Sequence, residues 1–140
     1  MKNIVIIGGS KGIGNAILNQ QLKNNLVYNL SRTAPDILHP NLFHFSIDVL
    51  QDNLPELDSI DSLIYCPGSI TLKPIQSLSI EDFRHDFEIN VLGAVKVIQK
   101  YLPVLKKGTD PSIILFSTVA TKLGMPFHTS ISAAKSAVEG

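Results

Sequence analysis

The N-terminal segment has the residue spacing of a phosphate-binding loop. The apolar run Asn3–Ile7 leads directly into a loop with glycines at positions 8, 9, 12 and 14. Gly8 permits a tight turn off the strand, Gly12 leaves room for a pyrophosphate, and Gly14 lets the following helix lie close to the strand. Unpaired amides at the start of that helix then face an anion. The spacing therefore predicts a nucleotide phosphate site, with a purely structural strand-to-helix turn as the alternative.

The residues after the loop have a helical pattern. Residues 15–23 continue the helix, which places Ile13, Ala16, Ile17 and Gln20 on one side and polar residues opposite. The order of strand, glycine loop and helix favours phosphate binding over the structural turn.

Composition limits the class of protein. The chain has 140 residues, 44% hydrophobic and 17% charged, so it can bury one sizeable core and its length predicts a single domain, 1–140. Twelve basic residues balance twelve acidic ones without a cationic run, so we expect no nucleic-acid partner. The only cysteine, Cys66, excludes an intrachain disulfide, and the four scattered histidines predict no metal site. With no membrane span or signal peptide in the pattern, we expect a cytoplasmic protein.

Five apolar runs predict the sheet that positions the glycine loop. They cover residues 3–7, 26–30, 42–47, 62–66 and 112–117, and each is continuous enough to be covered on both faces. We expect an α/β fold built on a five-stranded parallel sheet. Prolines at positions 35, 40 and 55 predict loops or brief helical turns after the second and third strands.

Two further helices are predicted. Residues 79–105 have one long helical pattern between the fourth and fifth strands, which Ser79 can cap and which Lys106, Lys107 and Gly108 close. The length of this pattern predicts a single crossover helix. Residues 127–140 have the pattern of a helix that has just begun.

Motifs farther along the chain complete a collinear pattern. Asp48-Val49 follows the third predicted strand, Cys66-Pro67-Gly68 forms the turn after the fourth, and Asn90 lies in the long helix. With the glycine loop, these motifs resemble the short-chain dehydrogenases/reductases, which bind NAD(H) or NADP(H) on a doubly wound sheet and transfer hydride between the cofactor and a carbonyl or alcohol. The resemblance covers all 140 residues and implies a Rossmann-like fold corresponding to the N-terminal part of that family's domain.

The resemblance implies a set of site residues. Three residues match catalytic positions of the family. Asn90 matches its helix asparagine, and residues 115–120 and 131–140, which contain Thr118 and Lys135, resemble the region of its serine, tyrosine and lysine. A helix lysine that extends to solvent is the alternative for Lys135. No metal ligand is implied. The implied cofactor contacts are Gly8, Ser10, Lys11, Gly12, Ile13, Gly14, Ser31, Arg32, Asp48, Val49, Cys66, Pro67, Gly68, Asn90 and Lys135.

The end of the second strand bears on the choice of cofactor. An NAD site needs a carboxylate there to accept hydrogen bonds from the adenosine ribose, whereas a 2′-phosphate needs cations. This chain has Ser31-Arg32 and no acid before Asp36, and Lys11 of the glycine loop could reach the same phosphate. We therefore expect NADP(H) rather than NAD(H), with two solvated surface cations as the alternative.

The catalytic pattern departs from the family at one position. The family's tyrosine lies four residues before its lysine, so that an ammonium one helical turn away lowers the pKa of the phenol. Counting back from Lys135 gives Ile131, which has no proton to donate, and general acid catalysis contributes about a hundred- to ten-thousandfold in rate. His128 could stand in if the helix begins early enough. The resemblance implies an oxidoreductase, with a dinucleotide-binding module that lacks redox chemistry as the alternative.

The chain stops before the family's remaining strands and most of its substrate pocket. The apolar surface that those elements would cover predicts self-association, and a homodimer through the long helix and residues 127–140 is one hypothesis. A truncated product or a fragment is the other. The resemblance implies a small carbonyl or alcohol as substrate and does not identify it further.

Overall fold

A computed structural model describes all 140 residues, Met1–Gly140. A π-helical turn, Glu88–Leu92, joins two of the α-helices, and short 3₁₀ turns form at Ile75–Ser77 and Val119–Thr121. The strands and α-helices are β1 Asn3–Ile7, α1 Gly12–Gln21, β2 Leu26–Ser31, β3 Leu42–Ser46, β4 Ser62–Tyr65, α2 Ile80–Phe87, α3 Gly93–Leu105, β5 Ser112–Leu115 and α4 Thr129–Glu139.

The five strands form one parallel sheet in the order β3-β2-β1-β4-β5. Ile4 of β1 pairs with Val27 of β2 on one side and with Ser62 of β4 on the other. The strand order reverses at β1, and in doubly wound sheets ligands bind at the carboxyl ends of the strands beside such a reversal. The predicted α/β, Rossmann-like fold is confirmed, and the glycine loop lies at the carboxyl end of β1.

The chain divides into two compact units. The first comprises Met1–Cys66 and Lys96–Ile114, and α1 packs there against β1 and β2. The second comprises Pro67–Val95 and Leu115–Gly140, and α4 packs there against α2 and the π turn. The prediction that the 140 residues form a single domain stays a prediction.

The predicted single helix over residues 79–105 is wrong in one respect, because the π turn interrupts it. Its start is as expected: Ser79 Oγ accepts from the Asp82 amide at 3.1 Å, and an Asp82 carboxylate oxygen accepts from the Ser79 amide at 2.9 Å. These bonds form a capping box. The bond from the Ser79 amide, followed by the contact with Lys73, lowers the pKa of Asp82. In the π turn, Asn90 Nδ2 donates to the Asp86 carbonyl at 2.8 Å, an acceptor that an α-helical turn would satisfy with a backbone amide.

The prediction that every strand is covered on both faces is wrong for β3 and β5. Phe43 of β3 is 44% exposed, and all four residues of β5 are exposed. No helix follows β2 or β3, in agreement with the prolines. β2 is nevertheless buried, because α1 packs against it, whereas β3 lies at the edge of the sheet. No helix of the chain is both long and apolar enough to cross a membrane.

The residues that the helical pattern placed on one side of α1 are not the residues that the structure buries. Ile13 is 65% exposed and Ala16 is exposed, whereas Gly14, Leu18 and Leu22 are buried. The helix begins at Gly12. Gly14 lies close to the Gly8 carbonyl at the end of β1, and this approach fixes which side of α1 faces the sheet. Residues four apart on a helix share a face, so Leu18 and Leu22 follow Gly14 inward.

Candidate functional site

The glycine loop has the backbone geometry that a tight strand-to-helix turn requires. Gly8 and Gly12 have φ angles of 79° and 56°, a region that side chains disfavour. A Cβ atom on Gly14 would lie 2.2 Å from the Gly8 carbonyl oxygen, which leaves no space for any side chain. Nothing lies within 4 Å of the position that a Gly12 Cβ would take. The loop is thus closed beneath Gly14 and open at Gly12.

The start of α1 leaves its amides available to a ligand. Lys11 is the N-cap residue, its side chain makes no capping bond, and the first turn contains no acidic residue. An anion could therefore accept from these amides without competition from the protein itself. Open space at Gly12 together with free helix amides fits the pyrophosphate of a dinucleotide.

At the carboxyl end of β2, the predicted contacts Ser31 and Arg32 have different surroundings. The Ser31 hydroxyl accepts from Asn29 Nδ2 at 2.9 Å and donates to the Thr33 carbonyl at 2.8 Å, so its hydrogen is already used. Arg32 and Lys11 are exposed, and neither forms an ion pair. The exposed cations, rather than the Ser31 hydroxyl, are the groups free to meet a 2′-phosphate.

The remaining predicted contacts in the first unit lie after β3 and β4. The Asp48 side chain accepts from the Leu50 amide at 2.9 Å, which fixes the turn after β3, and Val49 is buried. The Cys66 amide donates to the Ile7 carbonyl at 3.0 Å, and a Gly14 Cβ would lie 3.2 Å from Cys66 Cβ. Burial raises the pKa of Cys66 to about 11, so this thiol is not a reactive thiolate at neutral pH.

In the second unit, Asn90 lies in a buried polar cluster. Its Nδ2 donates to Ser69 Oγ and to the Ser69 carbonyl, both at 3.3 Å, and Ser69 Oγ donates to the Asp86 carboxylate at 2.6 Å. Asp86 and Asn90 are almost completely inaccessible to solvent. These bonds fix the amide group of Asn90, whose Oδ1 would lie 3.1 Å from a Cβ on Gly68.

Lys135 and Thr118 are the other catalytic candidates. Lys135 Nζ donates to the Phe116 carbonyl at 2.8 Å and lies 4.0 Å from the position of a Gly68 Cβ, so lysine, Gly68 and Asn90 are neighbours. Burial lowers the pKa of Lys135. Thr118 Oγ1 accepts from the Ala120 amide at 3.3 Å, and its hydrogen remains available to a ligand. The catalytic role of Lys135 therefore stays a prediction, and its half-buried position also fits the alternative of a helix lysine with a buried stem.

The position one turn before Lys135 carries no proton donor. Ile131 is 4% exposed and belongs to the core of the second unit. The condition for His128 as a stand-in is not met, because α4 begins at Thr129 and His128 precedes the helix. Its Nδ1 lies 2.6 Å from the Pro126 carbonyl, which anchors the ring to the preceding loop.

Glu139 ties the segment that carries Thr118 to the helix that carries Lys135. Its carboxylate accepts from Ser117 Oγ at 2.5 Å and from Thr121 Oγ1 at 2.6 Å, and it pairs with Lys122 at 2.9 Å. These hydrogen bonds, that of Ser117 foremost, lower the pKa of Glu139 to about 2. These contacts of Glu139, which we call the Glu139 clamp, therefore depend on an ionised carboxylate.

Replacing Glu139 by glutamine is expected to lower stability at neutral pH. A group whose pKa is lowered by folding stabilises the native state above its unfolded pKa, here 4.5, and loses that contribution as the pH falls toward 2. The difference in urea midpoint between wild type and Glu139→Gln should shrink over that interval. Glu81→Gln, which removes an exposed pair with Arg84 and one charge from the first turn of α2, serves as the control. A difference that stays constant down to pH 2 contradicts the clamp.

The predicted contact residues omit three residues that the structure places beside them. Gly9 and Asn29 form a buried contact under the glycine loop, and Ser69 links Asn90 to Asp86. Asn29 had a visible signal, since it is a lone amide inside the apolar run of β2. Ser69 had none, because its role follows from tertiary contacts.

Comparison with known proteins places the chain in a family. The family described as short chain dehydrogenase matches residues 45–140. The cyclopentanol dehydrogenase of Comamonas sp. is 24% identical over 159 aligned positions, which cover 98% of this chain and 62% of that protein. The probable short-chain type dehydrogenase/reductase VdlC of Helicobacter pylori is 32% identical over 151 positions, which cover 96% of this chain and 55% of that protein.

Solved structures share the fold. A short chain dehydrogenase family protein from Francisella tularensis superposes with a TM-score of 0.85 at 24% identity, over 99% of this chain and 60% of that chain. ElxO with NADP bound gives a TM-score of 0.85 at 22% identity, over 99% of this chain and 64% of that chain.

The chain belongs to the short-chain dehydrogenase family and is an oxidoreductase homologue. Members of this family bind NAD or NADP and act on small-molecule substrates. The chain spans about 60% of the length of the relatives that align along all of it.

Proposed function

We propose that this chain binds NADP(H) and takes part in hydride transfer with a small carbonyl or alcohol substrate. The observation that carries the proposal is the glycine loop, where Gly14 admits no side chain, Gly12 faces open space and the first amides of α1 are free. A structural turn would need the close approach at Gly14 but not the open space or the uncapped helix. The bound ElxO structure supports a nucleotide in this fold.

The exposed cations support NADP(H) over NAD(H). Arg32 and Lys11 have no carboxylate partner, and no acidic side chain ends β2. Guanidinium binds phosphate bidentately, whereas a ribose hydroxyl would need an acceptor that this position lacks. Asp48-Val49 would border the adenine, and Cys66, which lies against Gly14, would border the glycine loop. Ser10 and Ile13 would donate backbone amides to the phosphates.

The catalytic residues of the proposal lie in the second unit. A bound nicotinamide supplies or accepts the hydride. Thr118 can donate its free hydroxyl hydrogen to a substrate oxygen, and Lys135 can donate to a ribose hydroxyl near Pro67-Gly68. Asn90, which is hydrogen-bonded to Ser69, lies against Gly68 and would orient the Pro67-Gly68 turn. The side chain of Ile131 has no proton to deliver to a carbonyl that is being reduced, so we expect slow turnover.

A dinucleotide-binding module without redox chemistry is the second candidate function. The buried Ile131 favours it, because general acid catalysis at that position contributes about a hundred- to ten-thousandfold in rate. A homodimer also belongs to the proposal, because Ile80, Phe87 and Leu92 leave exposed apolar surface on the second unit.

Replacing Arg32 by alanine is expected to raise the dissociation constant for NADPH about tenfold or more and to leave that for NADH within about twofold, since only the 2′-phosphate loses a charge-assisted bond. Titration of nicotinamide fluorescence measures both, and the chain contains no tryptophan to interfere. Lys23→Ala, which removes an exposed cation just beyond the C-terminal end of α1, is the matched control. Equal losses for NADPH and NADH would contradict the cofactor preference, and no binding of either nucleotide by wild type would overturn the proposed function.

A further inference from the structure

One polar side chain is buried in the middle of β2. Asn29 is completely inaccessible to solvent, and its neighbours Val27 and Leu30 in the same strand are buried as well. A buried amide without partners costs free energy, so such a residue is expected to have a specific set of hydrogen bonds.

Asn29 contacts three separate parts of the first unit. Its Oδ1 accepts from the Gly9 amide at 2.9 Å, and its Nδ2 lies 2.9 Å from Ser31 Oγ and 3.1 Å from His44 Nδ1. The orientation of the amide follows from Gly9, because a backbone N–H can only donate and must face the oxygen. Nδ2 therefore donates to both Ser31 and His44, and His44 Nδ1 accepts.

The contact with Gly9 restrains the glycine loop. A Cβ on Gly9 would lie 2.5 Å from Asn29 Oδ1, so the bond requires glycine at that position. The preceding amide, Gly8, donates to the Leu30 carbonyl at 2.9 Å. Two consecutive amides of the loop are therefore turned toward β2, and the amides that follow them remain for a phosphate.

The contact with Ser31 restrains the other end of the same site. Ser31 Oγ is held between Asn29 Nδ2 and the Thr33 carbonyl, which fixes the turn that carries Arg32. We propose that Asn29 is a positioning residue of the cofactor site, which holds the pyrophosphate loop and the 2′-phosphate turn at a fixed spacing through one buried amide. This assignment rests on the proposed function, because it needs NADP(H) as the ligand that spans both ends.

The test compares Asn29→Leu, which has a similar shape and no hydrogen bonds, with wild type. Without nucleotide, the Gly9 amide of the variant should exchange with solvent at least about tenfold faster, as measured by NMR. The dissociation constant for NADPH should rise about tenfold or more, whereas that for adenosine 2′-monophosphate, which reaches only one end, should change by less than about threefold. His44→Ala, which removes one of three bonds, should give a smaller rise for NADPH.

Val27→Ala is the matched control, because it removes buried volume from the same strand without touching the loop. It should lower the melting temperature and leave the NADPH dissociation constant unchanged. Unchanged Gly9 exchange, unchanged NADPH binding, or equal weakening of NADPH and adenosine 2′-monophosphate in folded Asn29→Leu would overturn the assignment alone. Failure of the wild-type chain to bind any nucleotide would overturn the proposed function and the assignment together.

Discussion

Replacing Gly14 by alanine is expected to abolish measurable NADP(H) binding and to lower the melting temperature. The added Cβ would lie 2.2 Å from the Gly8 carbonyl oxygen and 3.0 Å from the Gly8 carbonyl carbon, and both are backbone atoms at the turn off β1. Relief requires α1 to move away from the turn, which displaces the first helix amides from the phosphate. Overpacking of this kind costs about 1–3 kcal/mol in stability even before ligand contacts are lost.

Gly124→Ala is the control for this substitution. Nothing lies within 4 Å of a Cβ at Gly124, so the same chemical change should leave both melting temperature and nucleotide binding unaffected. Thermal unfolding followed by circular dichroism and titration of NADPH fluorescence measure the two effects. If Gly14→Ala binds NADPH with wild-type affinity, the close approach of α1 to the loop does not define the phosphate site.

Replacing Ile131 by tyrosine is expected to increase carbonyl reduction by NADPH about a hundredfold or more over a slow wild-type rate. The new phenol lies one helical turn before Lys135, whose ammonium favours its ionised form, and it supplies the missing general acid. Initial rates with a panel of small aldehydes and ketones measure the gain. Because Ile131 is buried, a fall in melting temperature from overpacking is expected as well.

Two variants separate the phenol hydroxyl from the size of the ring. Ile131→Phe adds the same ring without a proton donor and should show no gain. Adding Lys135→Met to Ile131→Tyr should remove most of it, since the phenol then loses its cationic neighbour. A measurable wild-type rate equal to that of Ile131→Tyr would show that another group delivers the proton, and it would also exclude the non-catalytic alternative.

The strands were predictable because the inner strands of a parallel sheet are continuous apolar runs. β1 matches its run, and the other strands differ by one or two residues at their ends. The exposure of β5 was not predictable, since its sequence, Ser-Ile-Ile-Leu, is that of a buried strand. Periodicity reports which residues prefer burial, whereas actual burial depends on whether another element covers them.

The site was predictable where local backbone geometry sets it and not where long-range contacts do. Glycine spacing led to Gly8, Gly12 and Gly14 because each answers a steric demand within the loop itself. In the π turn, Asn90 Nδ2 donates to the Asp86 carbonyl, and a helical sequence pattern contains no sign of that bond. Likewise, the bond between Asn29 and Gly9 joins residues twenty positions apart.

The exposed strand β5 is expected to affect how residues 1–140 behave on their own at high concentration. It lies at one edge of the sheet, and its four residues include no charge and no proline. Unpaired edge strands of this kind template pairing with other chains. Loss of monomer by this route depends on collisions, so its rate rises with the square of concentration, whereas unfolding is first order. For residues 1–140 on their own, loss of monomer is therefore expected to depend more strongly on concentration than unfolding does.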